Sequence, residues 1–199
     1  MPSNRQGLQF AYVASYQGTA DAFAYQADTT SDGASVYDAS GYPVELGQTV
    51  DYLDSKNRNL RFKYVKYAPT VAPGTLLVGP VYYKDNTRTV ITPLVSDGVT
   101  GTINDIAGVL LNLTATPLAG PIGLWIQVSG YLGSQSDANA AQSPLLAQGS
   151  VTAGHLLIGK TGTQQYNDVA NWATAIPFAI VLASTTVGLP IELEIMVPS

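Results

Sequence analysis

Downstream of about residue 56 the sequence is a succession of short apolar runs, almost every one closed by glycine, proline, asparagine or aspartate. The runs read "LRFKYVKY", "GTLLVGPVYY", "TRTVITPLV", "IAGVLLNLT", "GLWIQVSGYL", "GHLLIG", "PFAIVLAS" and "GLPIELEIMV". They have strand length, and they are interrupted too often for helices that could bury one face. In the first run Leu60, Phe62 and Tyr64 alternate with Arg61 and Lys63, the period of a half-buried strand. The expected fold is all-β, a β-sandwich or small β-barrel built from short antiparallel strands. Only "NDVANWATA", residues 167–175, has the character of a helical turn, with Asn167 or Asp168 as its cap.

A repeat sharpens this expectation. "VAPGTLLVG" (Val71 to Gly79) returns as "VTAGHLLIG" (Val151 to Gly159). The first copy is followed by "GVLLN" and "GLWIQV", the second by "AIVLA" and "GLPIEL". A glycine-turn strand, a Val-Leu strand and a Gly-Leu-x-Ile strand thus occur twice in the same order. Two copies are too few for a solenoid. They point to two stacked β units or two halves of one barrel, over about 71–130 and 151–196.

The repeat also disposes of a tempting motif. "GHLLIGKT", Gly154 to Thr161, fits the phosphate-loop pattern letter for letter. That chemistry needs a glycine-rich loop followed by a helix whose N-terminus faces the anion. Here the variable positions are His155, Leu156, Leu157 and Ile158, and Gly162 follows at once. The earlier copy has no lysine at the matching place. The motif reads as a glycine turn leading into an apolar strand.

Residues 1–55 differ from the rest, holding half of the 14 acidic residues in polar, tyrosine-containing sequence. Their apolar residues are too sparse for a core of their own. "LQFAYVASYQ" and "DAFAYQA" have the length of short strands, and residues 27–35 read as an exposed loop. An extended N-terminal arm or loose β sub-layer over 1–55 and a β domain over 56–199 is the expected organisation.

Charge is scarce: 12% of the 199 residues are charged and 46% are hydrophobic. A solitary soluble chain normally carries about twice that share of charge, so much of the surface is expected to be covered by other chains. The formal net charge of −5 argues against general attraction to nucleic acid. Without cysteine and with His155 as the single histidine, thiolate and multi-histidine metal sites are excluded. The amino end lacks the charged-then-apolar run of a signal peptide, and no apolar run is long enough for a membrane helix. No cofactor and no membrane partner are expected.

Lys56, Arg58, Arg61, Lys63 and Lys66 fall in one window with Phe62, Tyr64 and Tyr67. The pattern admits a single-strand nucleic-acid platform, a strand with a charged outer face, or a basic patch meeting an acidic protein. The acidic total and the alternation favour the last two, making Arg61, Lys63 and Lys66 candidate partner contacts. Trp172, in a polar segment, is a fourth candidate, whereas Trp125 among Leu124, Ile126 and Val128 reads as a core residue. His155 has the elements of a nucleophilic site only if a serine and an acid converge on it. No nucleophile-elbow sequence is present, and His155 abuts an apolar strand. Glu192 and Glu194 alternate onto one face of the last strand, where charge guards a sheet edge. No catalytic set is visible.

The strand patterns resemble a family. "LRFKYVKYAPTVAPGTLL", "IAGVLLN" followed by "GLWIQVSG", and "VTAGHLLIG", "PFAIVLAS" and "GLPIELEI" are similar to successive elements of tailed-phage structural proteins, among them capsid decoration, or cement, proteins. The likeness spans roughly residues 58 to 196. It departs from the family at Phe178 and Ile180, where a glycine is usual, and it does not reach the first 55 residues. It implies an all-β protein without enzymatic activity, made in the host cytoplasm and clamped on the outside of an icosahedral head. It implies the major capsid protein as partner and commonly a homotrimer. A carbohydrate-binding β module of a head fibre or other virion appendage is the alternative.

Overall fold

The computed structural model describes residues 46–53, 57–67, 79–83, 89–91, 102–103, 106–110, 122–133, 145–160, 166–171 and 176–197. These form eleven strands and no helix. They are β1 (Thr49–Leu53), β2 (Asn59–Tyr67), β3 (Gly79–Tyr83), β4 (Thr89–Ile91), β5 (Thr102–Ile103) and β6 (Ile106–Leu110). Then follow β7 (Ile122–Leu132), β8 (Leu156–Lys160), β9 (Tyr166–Val169), β10 (Pro177–Ala183) and β11 (Glu192–Met196). The all-β expectation holds. The proposed helical turn at 167–175 does not: Asn167 and Asp168 lie in β9, opposite Ile158 and Leu157 of β8, and residues 172–175 fall outside the described residues.

The strands make one sheet in the order β1-β2-β4-β3-β6-β7-β11-β10-β8-β5, with β9 on β8 and a further pairing of β2 with β7. That last pairing closes the ring β2-β4-β3-β6-β7. A five-stranded barrel-like ring therefore carries an open antiparallel extension, β11-β10-β8-β9. Every pairing is antiparallel except β2 with β4, which is parallel at Lys66↔Thr89 and Tyr67↔Val90, so the expectation of purely antiparallel strands is corrected at one place.

The sequence repeat takes a definite form in this topology. β3, β6 and β7 pair antiparallel in that order. So do β8, β10 and β11. The two third strands then pair with each other, Leu193↔Leu132 through Met196↔Ser129. The halves lie side by side as β3-β6-β7 and β11-β10-β8, mirrored in order about the β7–β11 junction. Of the first glycine-turn copy only Gly79, the start of β3, falls among the described residues.

Alternation sends two sets of side chains to opposite faces of β2 and β7. Leu60, Phe62, Tyr64 and Trp125 join Phe178, Leu157, Leu193 and Ile195 in the larger core. Val65, Ile126 and Val128 join Val81, Ala107 and Leu110 in the smaller one, whose buried members among the described residues come from ring strands, with Val197 after β11 packed against it. Trp125 meets Tyr64 edge-on at 5.1 Å between ring centroids, the geometry favoured by aromatic quadrupoles. Truncating Trp125 to alanine there would cost about 3–5 kcal/mol.

β7 can serve both halves because it bends. Arg61 pairs with Ser129 but Phe62 with Gln127, so β7 carries one extra residue at this bulge. Gln127 is fully buried, and its Nε2 donates to the carbonyls of Ser129, Gly130 and Tyr131 at 3.2, 3.2 and 3.0 Å. Three converging carbonyl oxygens fix which end of the amide faces them, since an oxygen there would be repelled. The side chain thereby holds the bend that lets β7 leave β6 and take up β11.

Candidate functional site

Arg61 and Lys63 project from the same face of β2, between β1 and β7. Neither is a loose surface charge. Arg61 makes a two-pronged pair with Asp51 of β1, Nε to Oδ1 at 2.7 Å and Nη2 to Oδ2 at 3.2 Å. The hydrogen bond and then the opposite charge of Asp51 raise the pKa of Arg61 further above its already high value. Both partners remain about half exposed, so solvent screening leaves the pair worth only about 0.2–1 kcal/mol. Its larger effect is geometric: a bidentate fork fixes the guanidinium orientation. Lys63 Nζ donates to Tyr83 Oη at 2.7 Å. Arg58 stacks on the Tyr131 ring at 3.6 Å, and Tyr131 packs against the larger core, on the side of β2 opposite Arg61 and Lys63.

The basic window of the sequence is therefore divided. Lys66 has the parity of Phe62 and Tyr64 and leaves β2 on the opposite side from Arg61 and Lys63, so the three candidates are not one patch. Trp172 and Lys56 lie outside the described residues. Phe62 and Tyr64 are buried in the larger core and present no face on which a base could stack. Trp125 is likewise a core residue.

Glu192 and Glu194 do share a face of β11, both half-buried. The strand is not an edge, as it lies between β7 and β10, so the edge-guard reading is corrected. Glu194 instead sits opposite Tyr131 on one side and Ile180 on the other.

The turn before β8 holds a second polar constellation. Val151 bridges to Thr185, His155 N donates to Thr152 O at 3.1 Å, and Gly154 N donates to Val181 O at 2.8 Å. Asp168 of β9 reaches over this turn. Its Oδ1 lies 2.8 Å from His155 Nδ1, and its Oδ2 accepts from Thr152 N at 3.0 Å. Ser184 Oγ accepts from Ala153 N at 2.8 Å. Serine, histidine and aspartate thus surround one turn, but the serine hydroxyl and one carboxylate oxygen of Asp168 each accept from its backbone. The arrangement clamps the turn. Leu156–Lys160 is extended strand, so the phosphate-loop lettering does not build a loop that could wrap an anion.

Sequence reasoning missed Asp168 as the partner of His155 because it placed Asp168 at a helix start. The available signal was the short glycine-containing polar run, residues 161–165, of hairpin-loop length. Among the described residues no group of three metal-ligating side chains occurs, and no helix is long and apolar enough to cross a membrane.

No protein-family model matches the chain, and no curated protein sequence matches it.

Proposed function

We propose that this protein is a phage virion structural protein that binds the outside of the capsid and stabilises it, acting as a closed homo-oligomer, with a trimer as the expected form. The observation that carries this reading is the ordered face of β1, β2 and β7. Arg61 and Lys63 are held there by internal partners, Asp51 and Tyr83. A face whose long side chains are already fixed loses little conformational entropy when it meets another broad protein surface. Its basic groups suit an acidic one, which is the demand placed on a cement protein by the major capsid protein. The sparse charge of the chain and its continuous strand pairing fit wide, shape-matched contact.

The carbohydrate-binding alternative needs an open aromatic face beside polar groups. Among the described residues Trp125 and Tyr64 are buried and Arg58 covers one face of Tyr131, while Trp172, on which that reading rests, lies outside them.

The decisive experiment adds purified protein to heads of the source phage assembled without it. Co-sedimentation with the heads and a raised temperature of DNA release are expected. Heads that ignore the protein, or are equally stable without it, would overturn the proposal.

A further inference from the structure

We infer that the end of the fold formed by Leu146, Leu182, Val187 and Leu189 is the surface through which copies of this chain associate. This names a contact that the functional proposal leaves open, and it stands or falls separately from capsid binding.

These side chains are exposed by 48, 45, 65 and 54%. A single exposed leucine or valine is ordinary, whereas a grouped set on ordered backbone marks a contact surface. They are grouped by hydrogen bonds. Ala147 N donates to Leu189 O at 2.8 Å, Gly188 N to Ala147 O at 2.8 Å, and Ile191 N to Leu145 O at 2.9 Å. The strip around Leu146 therefore runs alongside the turn that carries Val187 and Leu189. Beneath it the Tyr166 hydroxyl ties both sides of Ala147, donating to Leu146 O at 2.8 Å and accepting from Gln148 N at 2.9 Å. Leu182 stands at the root of the same turn, at the register shift between Val181 and Ala183. The apolar groups are thus presented on a fixed frame.

Charge identifies the occupant. The chain carries no Asp, Glu, Lys, Arg or His from residue 138 to 154, or from 169 to 191. All four side chains lie on these two runs. With a formal net charge of −5, two copies repel each other wherever their acids meet. Contact through an apolar end whose own segments carry no charge keeps most of those acids apart and buries like against like. A strongly charged foreign surface would find no ionic counterpart there and would be desolvated without compensation. A patch at one end of the fold also suits association around a symmetry axis, in which each copy offers the same surface.

The test is sedimentation equilibrium of the full chain across a wide concentration range, with Val187→Asp plus Leu189→Asp as the variant. Wild type is expected to be oligomeric, and the double variant to dissociate with an apparent constant weakened about tenfold or more per position. Added sodium chloride should not loosen the wild-type assembly, because no ion pair holds it. Val187→Lys is the companion variant should the double one fail to fold. It adds the opposite charge and should also dissociate the protein. A monomeric wild type, or variants that keep its mass while their thermal melt is intact, would overturn the inference. So would variants that remain oligomeric but no longer add to heads, since the end would then be the capsid contact. A wild type that associates through this end yet ignores heads leaves the inference standing and removes the functional proposal instead.

Discussion

Asp168 and His155 meet at 2.8 Å across the pairing of β8 and β9, and the same carboxylate accepts from Thr152 N. One side chain thereby secures both a strand pair and the turn that introduces it. Removing the carboxylate deletes two hydrogen bonds, whereas removing the imidazole deletes one. Asp168→Ala should therefore destabilise more than His155→Ala, by about 1–3 kcal/mol against about 1 kcal/mol. Urea midpoints of the two variants check the order.

Two glycines with the same handedness of φ should respond very differently to a methyl group. Gly130, at φ 95°, sits just past the bulge of β7, and a Cβ there would lie 2.5 Å from Asn59 O and 3.1 Å from Leu60 Cα. Both are backbone atoms of the neighbouring strand and cannot turn aside. Gly154, at φ 82°, has nothing within 4 Å of its added Cβ. Gly154→Ala should cost only the left-handed penalty, about 1–2 kcal/mol. Gly130→Ala should exceed it and disturb the β2–β7 pairing, read as a larger fall in melting temperature with altered near-ultraviolet dichroism of Trp125.

The Tyr166 hydroxyl makes two hydrogen bonds, to Leu146 O and from Gln148 N. Burial pushes its pKa up to about 12, partly opposed by the Gln148 N–H, which favours the phenolate. The unfolded value is about 10. A raised folded pKa gives a contribution fully present below the unfolded value and lost as pH rises through the folded one. Stability should thus hold up to about pH 10 and decline toward pH 12. In Tyr166→Phe that alkaline decline should shrink, while the neutral-pH stability falls by about 1–2 kcal/mol because the amide and carbonyl lose their partner. Denaturation curves at stepped pH measure both.

Strand character was legible wherever side-chain period and burial coincide. Leu60, Phe62 and Tyr64 face the core because alternation leaves them no other side. The repeat was visible in the letters as well, though of its first glycine-turn copy only Gly79 lies among the described residues. Its arrangement was not. Whether β7 pairs with β11 depends on Gln127 and the bend it holds, and no local pattern announces that glutamine as buried. Nor does alternation show that Asp51 waits opposite Arg61, since their pairing comes from the β1–β2 register. The basic window looked like one patch in sequence because spacing alone does not separate the parity of Lys66 from that of Arg61 and Lys63.

That parity shapes the last prediction. If the face of β1, β2 and β7 meets an acidic capsid surface, the charge that matters is on Arg61 and Lys63, with Lys66 on the other side of the strand. Arg61→Glu with Lys63→Glu should then weaken head binding strongly, while Lys66→Glu should leave it nearly unchanged. Reversal also places a carboxylate beside Asp51 at a half-exposed pair worth about 0.2–1 kcal/mol, and Lys63→Glu gives up the hydrogen bond to Tyr83, worth about 0.5–1.5 kcal/mol. Folding is preserved at losses of that size, and the oligomer with it, because the apolar end around Val187 is untouched. Salt should act in the same direction on the wild type, weakening head binding between about 0.05 and 0.5 M as the Debye length shortens. Co-sedimentation with heads at both ionic strengths reads out both variants and the wild type. Equal loss of binding from Lys66→Glu, or salt-independent binding of the wild type, would rule out this face as the capsid contact.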